Sequence, residues 1–359
     1  MTLARIARQI SSASTALIGL VMTTAVAQTS GTHQQVPTAR RPATSVFQSE
    51  PGTPRPLQIA FDPRTGLVTV TLSVDDPEGY LIPNLRPEHF AIYEDGVLQK
   101  NATVDIDHAV ITMSVLFEGG GRYQELNRML QTDIPSAAHP LLDALIPADK
   151  VAVFSYANTL KMLADTGQPR ERIETLFSQL QISGFSEANL YDALVDTLNR
   201  TRHVPGRRAL LLISTGLDTF SHATFDDVIA TAERADTPVY SIGLAGRVLR
   251  TIVDPPSPLS KIDWSRANNQ LKTLAKVSNG RTYLRDTLFD IPAIYDDLME
   301  HLRVRYVIRY SASGTHGNSA MRRVRVSLID PRTGGPLRVT DAAGKAITAQ
   351  VSADASYTP

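Results

Sequence analysis

Between about residues 110 and 303, short apolar runs alternate with longer amphipathic stretches, and this alternation limits the possible folds more than any other feature of the chain. The apolar runs have the length of buried strands and lie at 110–117, 151–156, 209–214 and 239–244. They are nearly continuous, which is typical of strands that helices cover on both faces. Helical patterns lie at 170–180, 190–201, 224–235, 268–277 and 291–302. The sequence therefore predicts an α/β fold with a doubly wound, mostly parallel sheet.

The segments on either side of this region are β-like. Residues 67–74 and 305–310 alternate apolar and polar side chains, as half-buried strands do. Each flanking segment is too short to bury a large core of its own. We therefore predict that 57–107 and 304–359 pack together as one smaller β-sandwich-like domain, with an α/β domain at 108–303 inserted between them.

The first 27 residues have the layout of a secretory signal peptide. Two arginines precede an apolar stretch, and the small residues Ala25 and Ala27 stand where a signal peptidase requires them. The expected cut lies between Ala27 and Gln28. An uncleaved membrane anchor is the alternative, but two threonines interrupt the stretch, which is short for a span of roughly 20 residues. We expect a secreted or periplasmic protein that does not stay inserted in a membrane.

Residues 28–56 contain too few apolar side chains to offset the entropy of ordering, and they are predicted to form a disordered linker. The chain has no cysteine, so disulfides do not stabilise it and the core must do so. It has 36 basic and 36 acidic residues. This balance gives no reason to expect nucleic acid as a partner.

Three stretches resemble the VWFA-related acidobacterial domain family, in that family's order and spacing. Residues 79–96 are similar to its lead-in, residues 189–194 (NLYDAL) to its LYDAL helix, and residues 271–283 to a later helix and strand. The resemblance covers about residues 67–328. It implies a von Willebrand factor A-like, Rossmann-like fold and a role in binding.

The resemblance also implies a divalent-ion site at the carboxyl ends of the strands. The family pattern is Asp-x-Ser-x-Ser, a later Thr and a later Asp, which supply the hard oxygen ligands that Mg²⁺ prefers. On this chain the pattern falls on Glu118, Gly120, Arg122, Ala188 and Thr215. Three hydroxyls are missing, one carboxylate is lengthened and the other is replaced by a hydroxyl. We therefore predict a degenerate adhesion site that binds no metal and no other cofactor.

Two residues near this pattern carry charge of opposite sign. Asp218, together with Glu187, is placed to regroup a weaker metal site. Arg122 opposes a metal, because a fixed positive charge beside a divalent cation weakens its binding. We expect Arg122 to replace the ion by pairing with Glu118 and Asp218, since a guanidinium can bind a carboxylate with two hydrogen bonds.

No pattern typical of catalysis is present. The glycines at 119–121 follow a strand but lack the spacing of a phosphate-binding loop. There is no Gly-x-Ser-x-Gly motif of a serine hydrolase. The histidines do not have the spacing of metal ligands. An enzymatic function therefore has no group of residues to support it.

The sequence predicts an exported, non-enzymatic module for protein–protein interaction or adhesion that works without metal. Its binding face consists of the strand-end residues Glu118, Gly120, Arg122, Ala188, Thr215 and Asp218. The alternative is an adhesin-like module that depends on Mg²⁺ or Ca²⁺ held in an atypical site. The expected partner is a protein or another extracellular macromolecule, which the sequence does not name.

Overall fold

In the computed structural model, β-rich segments at the two ends of the chain flank an α/β region. The strands are β1 Gln58–Asp62, β2 Leu67–Leu72, β3 Phe90–Glu94, β4 Val97–Leu98, β5 Thr103–His108, β6 Ile111–Glu118, β7 Lys150–Tyr156, β8 Leu160–Ala164, β9 Arg207–Ser214, β10 Val239–Gly243, β11 Thr282–Leu284, β12 Val304–Ser311, β13 Arg322–Leu328, β14 Val339–Thr340, β15 Ala346–Ile347 and β16 Asp354–Tyr357. The helices are α1 Arg170–Ser178, α2 Leu190–Thr201, α3 Phe225–Ala235, α4 Pro258–Val277 and α5 Ile291–Arg303.

The structure describes a little under half of the N-terminal third of the chain and most of the remainder. The described residues are 57–76, 82, 85–108, 110–120, 140–179, 186–244, 258–284, 291–312, 321–340, 345–347, 349, 351 and 354–359. They lie in one compact unit. The predicted signal peptide with its cut at Ala27 and Gln28, the predicted linker and Arg122 lie outside them. None of the described helices combines the length and the apolar character needed to cross a membrane.

A six-stranded mixed sheet forms the α/β region, in the order β11-β10-β9-β6-β7-β8. Five of its strands are parallel, and the edge strand β8 is antiparallel to β7. Successive side chains of a strand point to opposite faces, and the apolar residues of β6 and β9 are divided in this way between two separate cores. The prediction of an α/β fold with a mostly parallel sheet is therefore confirmed.

Helix α3 shows how local sequence sets the bounds of an element. Thr224 precedes it and accepts a hydrogen bond from the Asp227 backbone, while the Asp227 carboxylate accepts one from Thr224 N at 2.8 Å. This reciprocal capping satisfies two backbone donors that the helix leaves open. At the other end Asp236 adopts a left-handed conformation, with φ of 46°, and ends the helix.

Helix α4 ends at Val277, before a left-handed residue and a glycine. The left-handed residue after α4 is Asn279, with φ of 57°. Gly280 is needed for another reason, because a Cβ on it would lie 1.9 Å from the carbonyl oxygen of Val239. The glycine therefore lets the chain after α4 pass close to the start of β10.

Strands from the two ends of the chain share two four-stranded sheets. One has the order β1-β2-β12-β5 and the other β16-β13-β3-β4. In the first sheet, β12 lies between β2 and β5 and pairs with both. In the second sheet, β13 pairs with β3. All three pairings are antiparallel. Val70, Tyr306 and Val326 belong to one apolar core that both sheets line. Strands from 57–108 and from the described residues after 303 therefore share two sheets and one apolar core.

Candidate functional site

Glu118 ties together the carboxyl ends of three neighbouring strands. It is the last residue of the central strand β6 and is buried. Its Oε2 accepts hydrogen bonds from Thr215 N at 2.7 Å, Thr215 Oγ1 at 2.9 Å and Ser214 Oγ at 3.1 Å, and Tyr156 Oη lies 3.3 Å away. Tyr156 ends β7, and Ser214 ends β9. One carboxylate oxygen thus serves donors from both adjacent strands.

Burial raises the pKa of two groups in this cluster. It raises the pKa of the Glu118 carboxyl above its ordinary value, and the hydrogen bonds from Thr215, Ser214 and Tyr156 offset only part of that rise. Burial and the nearby Glu118 also raise the pKa of Tyr156 well above its usual range. The phenol therefore remains protonated and available as a donor. Ser214 Oγ in turn accepts a hydrogen bond from Gly216 N at 2.8 Å.

Gly120 lies where a neighbouring loop passes very close. A Cβ on this residue would lie 2.1 Å from Ser186 Oγ and 2.8 Å from the Ala157 side chain. A side chain there would require Ser186 to change rotamer and Ala157 to shift. The glycine therefore suits the close approach of these loops.

Ala188 and its neighbours bind the loop that follows β9. Thr219 N donates to the Ala188 carbonyl at 3.0 Å, and Ala188 N donates to Thr219 Oγ1 at 2.8 Å. The buried Asn189 accepts on its Oδ1 from Thr219 Oγ1 at 3.2 Å and from Phe220 N at 3.3 Å. Asn189 N also donates to the Ala157 carbonyl at 2.8 Å. Asn189 Nδ2 donates to the Asn158 carbonyl at 3.2 Å, so this residue links the loop after β7 to the loop after β9.

Asp218 fixes the same loop to the start of α2. Its Oδ1 accepts from Tyr191 N at 3.1 Å and Ser221 Oγ at 2.5 Å, and its Oδ2 accepts from Ser221 N at 3.3 Å. These contacts satisfy a backbone donor of the first turn of α2, which has no partner within the helix. Asp218 therefore acts as a capping and loop-fixing residue.

Asp192 holds the end of the loop. Its carboxylate accepts from Ala223 N at 2.8 Å, from His222 N at 3.0 Å and from the His222 ring at 3.2 Å. Burial alone would raise the pKa of Asp192, but the hydrogen bonds from Ala223 and His222 outweigh it and lower the pKa. The carboxylate is therefore ionised at neutral pH.

Phe220 lies in the middle of this fixed loop and points outward. Its side chain is 70% exposed, although its backbone N donates to Asn189. Residues 217–222, which we call the Phe220 loop, thus combine a backbone held by several hydrogen bonds with an aromatic ring open to solvent. The exposure of this ring is not a sign of local disorder.

These residues do not fit a divalent metal ion. A hard cation needs several oxygen atoms with open lone pairs, whereas the buried oxygen of Glu118 already accepts from Thr215 and Ser214. Gly120 and Ala188 supply no side-chain oxygen. Within the described ranges, no three acidic or histidine side chains come together as a possible ligand set.

The structure brings most of the predicted site residues to one edge of the sheet. Glu118 accepts a hydrogen bond from Thr215. Ala188 and Asp218 both fix the Phe220 loop: the Ala188 carbonyl accepts from Thr219 N, and Asp218 accepts from Tyr191 N of α2. Gly120 packs against the loop that leads to Ala188. Arg122 lies outside the described residues, so its predicted pairing with Glu118 and Asp218 remains a prediction.

Sequence reasoning did not single out four residues of this site: Tyr156, Asn189, Thr219 and Phe220. Tyr156 ends a strand, and Asn189 precedes a helix. Polar groups at strand ends of a parallel sheet meet at one edge. That rule was a usable signal for the position of Tyr156, whereas the contacts of Asn189 depend on which loops lie side by side.

Comparison with known proteins leaves the family open. No family model matches the chain, and no curated protein matches it in sequence. A von Willebrand factor type A structure from Catenulispora acidiphila aligns with 87% of this chain and 75% of its own, at 10% identity and a TM-score of 0.41. BatB from Bacteroides thetaiotaomicron aligns with 53% of this chain and 98% of its own, at 14% identity and a TM-score of 0.37.

A third similar structure is proximal thread matrix protein 1 from the mussel byssus, with zinc in its MIDAS motif. It aligns with 60% of this chain and 50% of its own, at 11% identity and a TM-score of 0.43. This chain thus spans about half the length of the mussel protein. At TM-scores below 0.5 none of these likenesses carries an argument about the site. The acidobacterial family remains a prediction.

Proposed function

We propose that the chain is a non-enzymatic module that binds a protein or another extracellular macromolecule through the Phe220 loop, without a metal ion. The observation that carries the proposal is the 70% exposure of Phe220 on a loop whose backbone is held in place. Aromatic side chains are common among the few residues that dominate the energy of protein interfaces.

Rigidity is what separates Phe220 from an ordinary exposed apolar residue. Single exposed apolar side chains are normal on protein surfaces. A loop that must be ordered on binding loses part of its binding energy to that ordering. Here Asn189, Asp218 and Asp192 already hold the loop by their side-chain acceptors. A partner that covers Phe220 would therefore lose little entropy from the loop.

The buried cluster at Glu118 supports binding without metal. In the family that the sequence resembles, an ion at this edge leaves a coordination position open to a partner's carboxylate. In this chain, the side-chain hydroxyl and the backbone N–H of Thr215 both donate hydrogen bonds to Glu118. The hydrogen bonds of the cluster thus fix the carboxyl ends of the strands. In this proposal the partner is bound by the loops that follow those strands.

The remaining parts of the proposal concern the domain arrangement and the export of the chain. The two four-stranded sheets would form one sandwich-like frame into which the α/β region is inserted, because they line a common core. Export is proposed from the arrangement of charged, apolar and small residues that ends at Ala27. A secreted or periplasmic site would bring the Phe220 loop into contact with extracellular macromolecules.

Site-specific photocrosslinking tests the binding face. A photoreactive phenylalanine analogue at position 220 should crosslink to a discrete partner in cells that produce the protein. The same analogue at Met321, which is 71% exposed and far along the chain, serves as the control. The expected product forms at position 220 only and is unaffected by EDTA. Equal crosslinking at both positions would contradict the proposed face, and loss of the product in EDTA would favour the metal-dependent alternative.

A further inference from the structure

Three acidic residues lie on the Phe220 loop or on the segments that hold it. Glu187 is exposed and lies in the segment that pairs with Thr219, one residue before Phe220. Asp218 lies two residues before Phe220 and is partly exposed. Asp192 anchors the end of the loop with its side chain 35% exposed. Phe220 and the three acidic residues thus lie on chain segments that are hydrogen-bonded to one another.

The donors that reach Asp218 and Asp192 do not neutralise their charge. Asp218 accepts from two backbone N–H groups and the Ser221 hydroxyl. Asp192 accepts from two backbone N–H groups and the His222 ring. In the part of the chain that the structure describes, no lysine or arginine forms an ion pair with Glu187, Asp218 or Asp192. The patch therefore presents negative charge next to an aromatic face.

This combination has a natural counterpart in an arginine side chain. A guanidinium can stack on an aromatic ring, whose face is electron-rich. At the same time its N–H groups can bind a carboxylate in a planar, two-bond arrangement. Lysine offers the positive charge without the planar group and would bind less specifically. One arginine on a partner would thus satisfy both features of the patch.

We infer that the Phe220 loop binds a positively charged segment of another protein, with an arginine stacked on Phe220 and directed at Glu187. The inference rests on the proposed function and names the chemistry of the partner. It also reverses the charge expected of a metal-containing site. There the ion attracts a carboxylate from the partner, whereas here the carboxylates belong to this chain and the partner supplies the cation.

Other classes of partner fit the patch less well. Nucleic acid would bring its phosphates against Glu187 and Asp218, whereas nucleic-acid binding depends on basic side chains that neutralise phosphates. A purely apolar surface would cover Phe220 but would remove the carboxylates from water without giving them a partner. A cationic protein segment is the partner that meets both the ring and the charges.

Peptide selection tests the inference. A random-peptide phage library is panned on the full chain, with counter-selection on the Phe220→Ser variant. The expected peptides contain arginine, and replacing that arginine by glutamine should weaken the binding of the synthetic peptide about tenfold, as loss of a cation–π contact and an ion pair would. Glu187→Gln should weaken binding several-fold. Glu171→Gln, an exposed acid on α1, is the matched control and should have no effect.

The outcomes separate the inference from the proposed function. Peptides that depend on Phe220 but carry no basic residue, or that bind equally to Glu187→Gln, would overturn the arginine inference and leave the binding face in place. Peptides that bind Phe220→Ser as well as the wild type would overturn both, and so would the failure of any peptide to be enriched. Binding that resists high salt would also count against the inference, because exposed ion pairs are screened.

Discussion

The hydroxyl of Ser186 occupies the space that a side chain on Gly120 would need, since a Cβ there would lie 2.1 Å from Ser186 Oγ. The two residues come from different loops, one after β6 and the other before α2. This close approach disfavours any side chain at position 120. A serine at position 120, as in the pattern of the family that the sequence resembles, would meet the same contact.

Restoring that serine should therefore harm the protein. We expect Gly120→Ser to lower the free energy of unfolding by about 1–3 kcal/mol, because it forces extra atoms into a filled space. Urea unfolding measures the change. Gly335→Ser is the control, since a Cβ there meets nothing closer than 3.5 Å. A Gly120→Ser variant as stable as the wild type would show that the Ser186 loop is free to move aside.

Glu118→Gln should change how stability depends on pH. Because burial raises the pKa of Glu118 in the folded state, the folded wild type keeps a proton that the unfolded chain releases. The wild type therefore loses stability as pH rises from the ordinary value of 4.5 toward the raised one. The variant cannot titrate, so its stability relative to the wild type should increase over that window. Unfolding curves across a pH series provide the measurement, and a constant difference would show that the pKa is not raised.

Asn189→Ala should release the Phe220 loop. The substitution removes the acceptor for Thr219 Oγ1 and Phe220 N, and a buried donor left without an acceptor costs about 1–3 kcal/mol. Hydrogen exchange of the amides in 218–222 should become faster, and binding through Phe220 should weaken. Phe220→Ser, by contrast, should change stability by no more than about 0.5 kcal/mol, since its side chain is exposed. Unchanged exchange in Asn189→Ala would show that other contacts hold the loop.

Asp297→Ala should be among the most damaging single substitutions in the α/β region. Asp297 accepts from Arg281 Nη1 at 2.8 and 2.6 Å and from Tyr283 Oη at 2.6 Å, and both partners are buried. Breaking a buried ion pair from one side costs about 3–5 kcal/mol. The neighbouring Asp296 is exposed, so Asp296→Ala is the matched control. Similar melting temperatures for the two variants would contradict the assigned role.

Divalent ions should leave the wild type unchanged. Because Glu118 accepts hydrogen bonds from Thr215 and Ser214, we expect no shift in melting temperature with millimolar Mg²⁺, Mn²⁺ or Ca²⁺, or with EDTA. An ion that binds only the folded state would raise the melting temperature by mass action. A clear rise would establish a metal site and support the metal-dependent alternative.

Much of the α/β region was predictable because its elements follow local rules. Helix α2 begins and ends where its periodicity indicated, at Leu190 and Thr201. Strand β8 was missed, because a short, half-exposed edge strand lacks the apolar run of a central one. Helix α4 begins at Pro258, ten residues before the predicted start, since its polar first half shows little amphipathic pattern.

The site was predictable only in part. The position of Glu118 and Thr215 at strand ends followed from the apolar runs before them. The roles of Asn189 and Tyr156 depend on which loops lie side by side across the sheet. Strand order sets that arrangement, with β9 and β7 on either side of β6. Local sequence patterns do not state that order.

The pairing of β2 and β5 with β12 has a consequence for the order of folding during synthesis. His108 at the end of β5 and Val304 at the start of β12 are register partners, although the whole α/β region separates them along the chain. The N-terminal strands therefore emerge from the ribosome long before the strand that lies between them. Until then β2 and β5 have unsatisfied edges, which are prone to aggregation. The α/β region can complete its own sheet first, and β12, which is made after it, then closes the sheet that the N-terminal strands began.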